Sequence, residues 1–148
     1  MAETTGFSDE ERAAMKQRAE ELKATKGLKG LAKRQKENQA CLDAIEALEG
    51  ADRAIGERVH VIVLEEAPHL DPKTFYGFPA YAEDGKVVVF YQPASKFQTR
   101  YGTVSFDESA RLDEGPMWPV SFAVLEVTAE VEQKIRELVR RAAPAPTD

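Results

Sequence analysis

Apolar positions recur at helical spacing near both ends of the chain and at strand spacing in its middle. Ser8-Asp9-Glu10-Glu11 has the form of a capping box, so a helix is expected from about Asp9 to Lys23. Its apolar content is thin (Ala13, Ala14, Met15, Ala19, Leu22), and such a helix is marginal alone. Gly27 and Gly30 then break the pattern. Leu42, Ile45 and Leu48 resume it, with Cys41 on the same stripe as a packing thiol. A further helix is expected over 52–67, with Ile55, Val59, Ile62 and Val63 on one stripe and Val61 and Leu64 on the far side. That distribution predicts a helix buried nearly all round in its second half, ended by Pro68.

The period then changes to two. Asp84-Gly85 between apolar runs predicts a hairpin. Val87–Tyr91 is β-branched and aromatic, which suits a central strand covered on both faces and closed by Pro93. Phe97, Thr99 and Tyr101 alternate with Lys96, Gln98 and Arg100, which predicts one more strand. Thr103–Phe106 either continues that strand or forms another. After a polar loop over 107–116, with a short helical turn at 109–112, Val120–Val127 reads as the last strand. Thr128 caps a final helix with Glu130 and Glu132 in its first turn and Arg140 and Arg141 in its last. Its buried face is Val131, Ile135, Leu138 and Val139. The order predicts an α+β two-layer domain, helices on one face of a mainly antiparallel sheet. We expect an N-terminal helical arm and linker over 1–38, a domain over 39–143 and a loose tail over 144–148.

Composition narrows the function classes. The chain has 148 residues and a formal net charge of −6, so nucleic acid is not an expected partner. One basic run, Lys23 to Lys36, interrupts that balance with six basic residues and no acidic one. It suits a solvated linker, contact with nucleic acid or an acidic partner, or docking on the acidic domain of its own or another chain. No run approaches a membrane span, Met1–Gly6 lacks a signal-peptide pattern, and the single cysteine excludes an internal disulfide, so a cytoplasmic protein is expected. No phosphate loop, dinucleotide fingerprint, nucleophile elbow or H-E-x-x-H motif occurs, and no enzyme is expected.

One block carries a family resemblance. It comprises Ala67-Pro68, Tyr76-Gly77-Phe78-Pro79-Ala80-Tyr81, Asp84-Gly85-Lys86-Val87, Phe90, Gln92-Pro93, Lys96-Phe97, Thr99-Arg100-Tyr101, Phe106, Leu112-Asp113 and Trp118-Pro119. On these residues the segment from about 40 to 142 resembles the bacterial YdhG-like domain, most members of which have no assigned activity. The resemblance implies a frataxin-like fold and, since one member is described as an intracellular iron chaperone, low-affinity iron binding and delivery to an iron-accepting protein. The first 38 or so residues look like the helical extension of some actinobacterial members.

Three sets of side chains are candidates for chemistry. Glu57, His60, Glu65 and Glu66 suit a weak, exposed iron site, because carboxylates and imidazoles ligate iron; an acidic solvated face is the alternative. Glu65 and Glu66 also sit at a helix C-terminus, where the dipole disfavours negative charge, so a bound cation is expected beside them. Lys96, Gln98 and Arg100 would share one strand face able to bind an anion; cross-strand ion pairing is the alternative. Tyr76, Tyr81 and Trp118, with Lys96 and Arg100, would wall a pocket for a small molecule or peptide, unless the aromatics are core. An adaptor acting through the arm is a third reading, and a monomer and a homodimer both fit.

Overall fold

A computed structural model describes residues 6–146. The Met1–Gly6 reading and the end of the tail therefore fall partly outside the described residues, which exclude 1–5 and 147–148. The fold is α+β. Its helices are α1 (Asp9–Ala24), α2 (Gly30–Glu46), α3 (Gly50–Glu66) and α4 (Ala129–Ala142). Its strands are β1 (Asp71–Phe75), β2 (Phe78–Glu83), β3 (Lys86–Gln92), β4 (Gly102–Phe106) and β5 (Ser121–Val124), an antiparallel sheet in chain order. No helix among the described residues is long and apolar enough to cross a membrane.

Local chemistry explains most boundaries. The Ser8 hydroxyl accepts from Glu11 N, and the Glu11 carboxylate accepts from Ser8 N, so the expected capping box forms. The Thr128 hydroxyl accepts from Val131 N and opens α4. The β2–β3 turn is Asp84-Gly85, both with positive φ (52° and 82°), as a two-residue primed hairpin turn requires. A second such turn, Tyr76-Gly77 (φ 55° and 83°), joins β1 to β2.

Strand alternation sorts the aromatic block into two faces. Tyr81 pairs with Val89, and Tyr91 with Val104, so these four share a face. It packs against Cys41 and Ile45 of α2, Ile55, Val59 and Ile62 of α3, and Ile135 and Val139 of α4 in one core. Phe75, Phe78 and Phe90 project from the other side, where Phe90 packs against Phe75 and Phe78 at 5.6 and 6.1 Å and Phe97 meets Phe78 edge-on at 6.0 Å. β3 is thus covered on both sides, as expected for the centre of the sheet.

Four expectations are corrected. Lys96–Tyr101 is not a strand: Ala94–Lys96 is a 3-10 turn, Gln98 has φ 54°, and Thr99 N donates to Ala94 O. Pro93 starts that turn, and the Thr99 hydroxyl holds it, donating to Tyr101 O at 2.9 Å with Ala94 O at 3.3 Å as the alternative acceptor. α3 is not buried all round, because Leu64 is 41 % exposed; on α2, likewise, Leu42 turns outward while Cys41 and Ile45 face the core. Residues 109–112 form a turn, not a helix. The last strand stops at Val124, and Leu125 is exposed. The break expected at Gly27 and Gly30 does separate α1 from α2, and α2 then runs through residue 38 without interruption.

Candidate functional site

α1 lies across the tip of the β1–β2 hairpin. Its Glu21 carboxylate accepts from two successive backbone amides, Tyr76 N at 3.1 Å and Gly77 N at 2.7 Å. Arg18 donates to the same carboxylate at 3.3 Å and places its guanidinium 5.2 Å from the centroid of Phe75. Gln98 reaches Glu10 at 2.9 Å. The helix contributes one buried residue, Ala14, so this seat is mainly polar.

Beneath α1 a cleft of about 700 Å³ opens between α1, α2, the hairpin and the 3-10 turn. Lys33 and Lys36 reach it from α2, Lys73 from β1 and Lys96 from the turn. Lys73 is paired with Glu37 at 3.6 Å, but Lys33, Lys36 and Lys96 make no ion pair among the described residues. The Lys96 ammonium sits 5.8 Å from the Phe78 ring centroid and against Gly77, where a Cβ would lie 2.6 Å from it. Gly77 therefore serves twice, supplying positive φ and leaving room for that amine.

The five ligand candidates do not converge, which corrects the expected pocket. Lys96 lines the cleft; Tyr76 does not, its amide meeting Glu21 and its ring packed edge-on against Phe75 at 4.7 Å. Tyr81 is wholly buried on the core face, its hydroxyl 2.9 Å from His60 Nδ1 and 3.9 Å from Cys41 Sγ. Arg100 is exposed and stacks on Tyr101 at 5.1 Å. Trp118 packs against the core. The shared strand face that was to unite Lys96, Gln98 and Arg100 does not exist.

The four metal candidates are engaged elsewhere. Glu57 pairs with Arg53 at 3.1 Å. Arg136 of α4 reaches Glu65 at 2.8 Å and Glu66 at 2.9 Å, and Arg140 reaches Glu66 at 2.8 Å. The charge at the C-terminus of α3 is thus met by two arginines of α4 in place of the bound cation expected there. Arg136 also binds Glu132, and hydrogen bonds from Arg136 and then Arg58 hold the Glu132 carboxyl below the usual range. No group of three or more His, Cys, Asp or Glu suited to a metal ion occurs among the described residues, so as arranged these four do not fit iron.

Burial governs the Tyr81 cluster. It pushes the Cys41 thiol up to about 11 and raises the Tyr81 hydroxyl well above its ordinary value, so neither ionises near neutrality. Burial also lowers the pKa of His60, although Asp43, Glu46, Glu57 and Arg53 line the shallow groove beside it. The unfolded chain then takes up the proton first as pH falls. The contribution of His60 is fully present above about pH 6.5 and is lost as pH drops through the lower folded value. Urea midpoints compared between about pH 7.5 and 5.5 are expected to fall less steeply in His60→Gln than in the parent.

Glu21, Gly77, Lys33, Lys36 and Lys73 were not among the sequence candidates. Lys33 and Lys36 did appear within the basic run, but nothing local marked Glu21, whose partners are 55 and 56 residues away. Comparison with protein-family models, curated proteins and solved structures finds no match, so the YdhG-like resemblance is carried by the quoted residues alone.

Proposed function

We propose that the chain is a non-catalytic binding module that holds a small, multiply charged anion, a phosphate ester or polycarboxylate, in the cleft under α1. One observation carries the reading: three ammonium groups without ion-pair partners among the described residues line one concavity of a chain with net charge −6. Unpaired cations gathered in a cleft focus the field there and attract anions. The volume lies within the roughly 300–1,000 Å³ of small-molecule sites. The lining also carries Glu20, Glu21, Glu37 and Asp43, of which Glu21 is held by Arg18 and Glu37 by Lys73.

Calorimetry against a panel of sugar phosphates, nucleotides and citrate tests this. At least one class is expected to bind, and the Lys33→Ala/Lys36→Ala/Lys96→Ala variant to weaken it by roughly 10- to 100-fold, as lost charge-assisted hydrogen bonds would. Absence of binding at millimolar concentrations, or an unaffected triple variant, overturns the reading. Ferrous iron added anaerobically is the comparison arm. Saturable iron binding that Glu57→Ala and His60→Ala abolish would favour iron handling instead.

A further inference from the structure

We propose that the Tyr76-Gly77 turn is a carboxylate receptor which Glu21 occupies in cis, so that a carboxylate-bearing small molecule and α1 compete for it. The inference deepens the ligand reading by naming the group recognised and the contact displaced. A primed two-residue turn points its two central amides away from the strand ladder. Such successive amides form a concavity for an anion. Here both amides meet one carboxylate, one to each oxygen, at 3.1 and 2.7 Å. The Arg18 guanidinium donates to the same carboxylate at 3.3 Å, so three donors meet it, while the Lys96 amine lies against Gly77 and not on the carboxylate. The Glu21 side chain is 9 % exposed; with α1 displaced, a ligand carboxylate would meet the Tyr76 and Gly77 amides, with the Lys96 amine beside Gly77.

The occupant is built to leave. α1 buries only Ala14, while Met15 and Leu22 stay 40 % and 56 % exposed. Besides Glu21, α1 places Arg18 over the Phe75 ring and meets Gln98 through Glu10, the latter contact exposed. The connection to α2 contains Gly27 and Gly30, both with positive φ and both with open space around them, which suits a hinge. A tethered carboxylate acts at roughly millimolar effective concentration. A simple monocarboxylate therefore competes poorly, whereas a ligand that also engages Lys33 and Lys36 displaces α1 and opens the cleft.

The test is an acetate titration of the ¹⁵N-labelled full chain, with potassium chloride at matched ionic strength as control. In Glu21→Ala the Tyr76 and Gly77 amide resonances are expected to shift saturably with acetate and not with chloride. The parent is expected to need at least about 10-fold more acetate, because the tethered carboxylate competes. Failure of either amide to respond in a folded Glu21→Ala, or equal responses to acetate and chloride, overturns the proposal. Should Glu21→Ala not fold, Glu21→Gln carries the same titration, with the same two outcomes. The anion panel is read separately. Acetate-responsive amides with a silent panel would retain the receptor and remove the larger ligand, and the reverse pattern would do the opposite.

Discussion

Tyr81→Ala is expected to destabilise the fold by about 3–5 kcal/mol, the range for removing a buried aromatic. Tyr81 is 0 % exposed and packs with Val89, Val59 and Cys41 in the single core. At this chain length the loss corresponds to roughly 2–4 °C in Tm per kcal/mol, and urea unfolding measures it directly. Tyr81→Phe keeps the ring and removes only the hydroxyl that meets His60 Nδ1, so about 1 kcal/mol is expected. The pair of variants separates core from ligand wall. A pocket tyrosine would lose binding and little stability with alanine, whereas this one is expected to lose the fold first.

Gly102→Leu is the second large effect, expected at about 1–3 kcal/mol or more from overpacking. A Cβ at Gly102 would lie 3.1 Å from both Gln92 O and Tyr91 Cε1. Tyr91 cannot retreat, because a Cβ at Gly56 on α3 would meet its opposite edge, Cε2, at 3.3 Å, and its hydroxyl donates to Asp52 O at 3.0 Å. The ring is thus clamped between helix and sheet. Gly56→Ala is the informative contrast: the squeeze is slight there, and the gain in helix propensity of about 1 kcal/mol offsets it. Thermal unfolding of the two variants is expected to rank Gly102→Leu far below Gly56→Ala.

What was legible in the sequence was local. The Ser8/Glu11 capping box, the Thr128 cap and the Asp84-Gly85 turn each involve partners within a few residues, and each formed as expected. Period two over Lys96–Tyr101 misled for the same reason: alternation records side-chain order but not backbone hydrogen bonding. Once Pro93 and the Thr99 hydroxyl close a turn, the alternation has no sheet to act on. The Tyr76-Gly77 hairpin was missed because tyrosine is a poor advertisement for positive φ. Its conformation is supported by the Glu21 carboxylate on its amide, a partner 55 residues away.

By itself the sequence determined the class of fold, the succession of most elements and the split of the chain into a basic run and an acidic remainder, because caps, periodicity and charge act over short distances. Only the tertiary structure decided which polar groups meet. It gave Arg136 and Arg140 to the carboxylates that looked free for a metal, and buried Tyr81 against His60 and Cys41. It also drew α1 over the hairpin through Glu21 and left Lys33, Lys36 and Lys96 facing one cleft. Those meetings join residues far apart in the chain, and packing of helices on the sheet, not local propensity, sets the distances between them.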